Sequence, residues 1–203
     1  LSCQDGATAG DASGKPPAAG SKVNFQLASM DGRKLGPKSF PGQVVVVDFW
    51  ATWCGPCRAE LPNLVKVYDE FRSKGFEVIG ISLDNEKTMP TLAKFLQDNH
   101  MSWQQIADGQ GWKAALGAKY DVHAIPAAWL IDGTTGQVVA AKNELRGAAL
   151  RDTVERCLKN LGKEVPLAAT PPATGKPAPA PVPRPPDPAL GSVFHRAPFG
   201  GVD

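Results

Sequence analysis

Four residues of this 203-residue chain have types and spacing suited to proton-coupled sulfur chemistry: Asp48, Cys54, Cys57 and Glu60, all within "VVVVDFWATWCGPCRAE". Two cysteines separated by two residues close a small disulfide ring when the turn between them is helical. The apolar run before them reads as a buried strand and the residues after them as a helix, so the pair sits at a strand-to-helix corner. A thiol at a helix N-terminus faces unpaired N–H groups and the positive end of the dipole, which brings its pKa below the free value of about 8.5. Cys54 is therefore expected to attack and Cys57, one turn further in, to be its partner. Pro56 suits the first turn, having no N–H to lose and a preset φ. Such a pair exchanges two electrons with another disulfide and requires no metal and no organic cofactor.

The carboxylates fit the same chemistry. An aspartate behind four valines costs about 1–3 kcal/mol or more to desolvate unless it stays protonated or finds partners. Packing gives no reason for it. Cys57, expected to be the more buried thiol, must lose a proton before it attacks a mixed disulfide, and a desolvated carboxyl with a raised pKa is a suitable acceptor. Glu60 lies three residues beyond Cys57 and shares its helix face, so the two carboxyls are expected to share the role, each raising the other's pKa.

These residues need a frame. "VNFQL" and the stretch after "MDGRKLG" read as two short strands about an Asp-Gly turn, and "VVVVDFW" as the central strand. A helix is expected from about Cys57 to Ser73, with Leu61, Leu64, Val65, Tyr68 and Phe71 at helical spacing and Gly75 as its stop. "FEVIGISL" reads as a second buried strand. A helix at Met89 to Asn99, a segment at "SWQQI", a short helix at Trp112 to Leu116, strands "AAWLI" and "QVVAA" about "DGTTG", and a helix from Ala148 to Leu161 complete the order. Strands alternating with helices at this spacing predict an α/β sheet covered on both faces.

With 42% hydrophobic residues the chain supports one domain with extensions. Its net charge of +2, from 22 Lys plus Arg against 20 Asp plus Glu, gives no field that would favour nucleic acid. Zinc lacks its ligands: there is no second C-x-x-C, and His100, His123 and His195 are scattered. Cys157 shares an apolar stripe with Leu150, Val154, Leu158 and Leu161 and is expected to behave as a small buried hydrophobe.

At "VDFWATWCGPC" the chain resembles thioredoxin, and "FWATWCGPCRAELPNL" is similar to the thioredoxin-like thiol:disulfide oxidoreductases of the TlpA/ResA type. The resemblance covers about Val23 to Leu161, including an N-terminal hairpin, an extra strand-helix insert at "SLDNEKTMPTLAKFLQDNH" and "YDVHAIPAAWLID". It implies a thioredoxin-like fold, a central mixed sheet with helices on both faces. Carried over residue by residue, it makes Cys54 the attacking and Cys57 the resolving thiol. Asp48 matches the buried aspartate of thioredoxin, Glu60 the acid of the TlpA/ResA type, and Pro62 a proline that kinks the active-site helix. Ile125-Pro126 matches a cis-proline loop that faces the disulfide and pairs with substrate backbone, so Trp53, Gly55, Pro56, Ile125 and Pro126 are the expected substrate surface. It implies protein substrates bearing disulfides and an upstream membrane or periplasmic thiol donor.

Rival chemistries fit less well. Copper-handling relatives of the fold use a C-x-x-x-C spacing, which this chain lacks although His123 lies near Pro126. A thiol peroxidase needs a hydroxyl placed beside one peroxidatic cysteine, and "TWC" has the wrong spacing. A non-enzymatic binding module would use the tail as its working part. Residues 1–22 are Gly, Ala, Ser and Pro with a few charges and read as a tether. Residues 23–162 form the expected domain, and 163–203, with "PAPAPVPRPPDP", a disordered proline-rich tail. "LSC" before that tether resembles the end of a lipoprotein signal, which makes Cys3 a lipidation candidate and predicts an extracytoplasmic protein held near a membrane.

Overall fold

The computed structural model describes residues 14–162. The Asp-Gly turn closes a hairpin of two very short strands, β1 (Leu27–Ala28) and β2 (Lys34–Leu35). Then come β3 (Val44–Trp50), α1 (Gly55–Phe71), β4 (Phe76–Ser82), α2 (Met89–Asp98), β5 (Gln104–Ala107) and α3 (Ala115–Lys119). A hairpin of β6 (Ala127–Asp132) and β7 (Val138–Ala141) leads to α4 (Gly147–Asn160). The main sheet has the order β5-β4-β3-β6-β7, with β3, β4 and β5 parallel and β6 and β7 antiparallel to their neighbours. This mixed sheet, with its helices and N-terminal hairpin, is the thioredoxin-like architecture that the motif implies.

Every residue of β3 is buried. Alternation splits it between two faces. On one, Val46 and Asp48 look toward α1 and α4, and Trp50 stacks on Phe95 of α2 with ring centroids 5.5 Å apart. On the other, Phe49 meets Trp129 edge-on at 4.9 Å, and Trp129 meets Tyr120, just past α3, at 5.5 Å. Asp48 is flanked in register by Gly80 of β4 and Ala128 of β6, the smallest residues available beside a carboxyl.

α1 begins two residues before its expected start, because Pro56 occupies its first turn, and runs on past Pro62. Its buried stripe uses Val67 where Val65 was expected; Val65 is half-buried. Gly75 ends the turn that follows, at φ 100°, a conformation glycine adopts without a Cβ penalty. The expected short helix at Trp112 to Leu116 is two pieces, a 3-10 turn Gly111–Lys113 and α3.

"VNFQL" does not form one strand. Its backbone bonds go to separate places: Val23 N–H to the Gly136 carbonyl (2.9 Å), and Asn24 to the Tyr120 hydroxyl on both its N–H (2.7 Å) and its carbonyl (3.0 Å). Residues 14–22, expected in the tether, also lie against the body. Gly14 N–H donates to Lys119 and Gly20 N–H to Val138, both at 2.8 Å, while Lys22 bridges Gln137. From there the chain crosses the Phe49 face and reaches the far side of the sheet, where Met30 N–H donates to the Gln105 carbonyl of β5 at 2.8 Å. Residues 20–30 thus form a strap engaging both edge strands. Cys157 is buried, as its stripe predicts.

Candidate active site

Cys54 and Cys57 form a disulfide with Cα atoms 5.3 Å apart. Cys54 is the N-cap of α1, in extended conformation (φ −81°, ψ 102°), and its Sγ accepts the Cys57 N–H at 3.2 Å. Its carbonyl accepts the first helical bond, from Arg58 N–H at 3.0 Å. The sulfur therefore stands where the helix offers unpaired donors, the arrangement that favours a thiolate. With the bond closed, Cys54 is 4% exposed and Cys57 3%. The expected difference in depth between them is absent in this state, since bonded sulfurs share one environment.

The loop leading into Cys54 is held by Asp84, a fully buried residue just beyond β4 that sequence reasoning passed over. Its carboxylate accepts the Thr52 N–H (3.1 Å), the Thr52 hydroxyl (2.5 Å) and the Ser82 hydroxyl (2.7 Å). The available signal was Ser82 and Asp84, two polar residues at the end of an apolar strand.

Behind the disulfide lies a cavity of ≈ 20 Å³, room for about one water. Asp48, Cys57, Glu60, Pro126 and Arg146 line it together with aliphatic side chains. Asp48 is 7% exposed, and burial pushes its carboxyl up to about 7. The Arg146 charge pulls it down and Glu60 pushes it further up. Glu60 is half-buried, not solvated, and its Oε2 accepts the Gly147 N–H at the start of α4 (3.1 Å). A carboxylate at a helix N-terminus is favourably placed. Both acids and one cysteine of the disulfide therefore face one small space.

Ile125-Pro126 is a cis peptide, and Pro126 is part of the same cavity wall. Arg146, which sequence reasoning did not single out, donates from Nη2 to the Pro126 carbonyl. Trp53, Gly55 and Pro56 are exposed on the outer side of the disulfide. Trp112 is 47% exposed and its ring lies 6.0 Å from that of Trp53, which is 46% exposed. His123 is remote in character, an exposed side chain paired with Asp121 at 2.5 Å. Cys3 lies outside the described residues.

A thioredoxin-like sheet that presents a C-x-x-C disulfide at a helix N-terminus is the scaffold of a thiol-disulfide oxidoreductase. A family model described as the AhpC/TSA family matches residues 19–141. The chain is 30% identical over 138 residues to a thiol-disulfide oxidoreductase ResA of Bacillus thuringiensis, covering 68% of this chain and 75% of that one. It is 28% identical over 138 residues to the ResA of Geobacillus kaustophilus, covering 68% and 74%. Among solved structures it is similar to the thioredoxin domain of a Bacteroides vulgatus thiol-disulfide oxidoreductase, with TM-score 0.60 and 30% identity, covering 70% of this chain and 99% of that one. The chain belongs to the AhpC/TSA family and, within it, to the thioredoxin-like thiol-disulfide oxidoreductases of the TlpA/ResA type.

Proposed function

We propose that this protein reduces disulfides of exported proteins, with Asp48 and Glu60 serving as the proton relay for Cys57. The observation that carries the reading is the shared cavity, which brings the inner thiol and both carboxyls together directly behind the disulfide. In the reduced protein the Cys54 thiolate attacks a substrate disulfide, forming a Cys54–substrate bond and releasing one substrate thiolate. Cys57 then gives its proton to the carboxylate and attacks Cys54. The protein disulfide forms, the mixed disulfide breaks, and the second substrate sulfur leaves as thiolate. The exposed Trp53, Gly55 and Pro56 and the Ile125-Pro126 loop receive the substrate as an extended segment. A thiol donor then restores the dithiol. Gly55-Pro56 matches the dipeptide of thioredoxin, whose potential is about −270 mV, which supports reduction over oxidation. The functional unit is residues 23–162, with the remainder as extensions. The site of action is outside the cytoplasm, with Cys3 as a lipid-anchor candidate.

The test is insulin-disulfide reduction, lost on alkylation and in Cys54→Ser. A potential near the about −120 mV of strong oxidases would overturn the direction. Stopped-flow decay of the mixed disulfide at pH 7 tests the relay. Asp48→Asn and Glu60→Gln each slow it modestly, and together they slow it by about 100-fold or more. A double variant that resolves as fast as the parent would remove both acids from the mechanism. Partners trapped on Cys57→Ser, which cannot resolve, identify the substrates.

A further inference from the structure

Of the residues lining the cavity, four carry ionisable groups: Asp48 from β3, Cys57 and Glu60 from α1, and Arg146 from the connection into α4. The rest of the wall, Val46, Leu61, Leu64, Pro126, Ala128, Leu145 and Leu150, is apolar. In the reduced protein three acids and one permanent cation thus share a space of one water, where charges are weakly screened. Arg146 is fixed in place from two sides. Its backbone is extended (φ −128°, ψ 146°) as the N-cap of α4, and its N–H donates to the Asn143 carbonyl at 3.3 Å. Its guanidinium is held by the carbonyl of Pro126, on the loop that faces the disulfide.

We propose that Arg146 is a positioning residue for the second chemical step: it keeps one negative charge resident in the cavity, so that a carboxylate is present to take the Cys57 proton. This rests on the relay described above. When the proton passes from Cys57 to Asp48, the cavity's charge is unchanged. The negative charge only moves from the carboxylate to the Cys57 sulfur, and it leaves with the substrate thiolate as the new disulfide closes. A cation lining the same cavity favours both placements, whereas a second charge on Glu60 opposes them. Without the cation Asp48 retains its proton to higher pH and the step waits for a more alkaline solution.

Reaction of the reduced protein with Ellman's reagent separates the two steps. A first, reagent-dependent phase reports Cys54 attack, and a second, unimolecular phase reports Cys57 displacing the bound thionitrobenzoate. In Arg146→Gln, which keeps a donor for Pro126 but no charge, the pH midpoint of the second phase should rise by about one unit, while the first phase is little changed. Arg146→Lys should restore the parental midpoint. Arg146→Met, which keeps the apolar stem, supplies a second uncharged variant should Gln perturb the loop. Parental midpoints in both uncharged variants, or equal shifts in Lys and Gln, would overturn the role of the charge. If the Asp48→Asn, Glu60→Gln double variant leaves the second phase unaltered, the relay itself falls. If the double variant slows that phase and the uncharged Arg146 variants keep its midpoint, only the Arg146 assignment falls.

Discussion

Asp48 costs stability and supplies chemistry by the same physical effect. Burial raises its carboxyl from 3.8 to about 7, so between those values the native state holds a proton that the unfolded chain has released. Stability therefore falls as pH rises through this window, and a shift of that size amounts to on the order of 4 kcal/mol by its upper end. Asp48→Asn removes the titration. Urea unfolding of the oxidised protein should show the variant gaining on the parent between pH 4.5 and pH 8, with little gain at the lower value. Equal differences at both pH values would show that Asp48 does not take up a proton on folding. The tension was visible in the string itself, since a carboxylate in a run of valines contradicts its surroundings and two cysteines follow within nine residues. Arg146 gave no such sign. It is 98 residues from Asp48 in the chain, and only the packing of α4 against α1 brings them to one cavity.

At the scale of elements, the helix N-terminus activates the sulfur only if the loop before it is held still. Two hydrogen bonds from Thr52 to Asp84 do this, with the Ser82 hydroxyl orienting the carboxylate, and Leu83 N–H closes on the Trp50 carbonyl at 2.8 Å alongside them. Asp84→Ala leaves the Thr52 and Ser82 donors without their acceptor, and should cost about 3 kcal/mol in urea unfolding. Cys54 should also react more slowly in the variant, because its cap geometry loosens. Asp84→Asn keeps part of the acceptor set and should lose less. Full stability in Asp84→Ala would mean that the loop is organised by something else. The helices and central strands were legible because their periods are long and regular; β3 and β4 occupy almost the residues that the apolar runs mark. Residues 14–43 read less well. Val23 and Phe25 are buried like strand residues, yet their backbone is bonded piecemeal to a side-chain hydroxyl and a distant turn, contacts with no local pattern.

For the whole molecule, the strap of residues 20–30 matters most. An open sheet presents unpaired backbone groups at both edges, and here one segment engages the two, at Val138 and at Gln105. Deleting residues 1–22 should lower the urea midpoint and promote self-association through β7, seen by size-exclusion chromatography. A monomer of parental stability would show that the contacts at Gly20 and Ser21 contribute little. The same segment also sets an order of events during synthesis. It leaves the ribosome ahead of every strand of the main sheet, yet Val23 bonds to Gly136, and Gly20 and Ser21 to Val138. At ordinary translation rates those partners arrive about ten seconds later. These early residues thus cannot lock until β7 has been made, and that margin of the sheet stays uncovered until then.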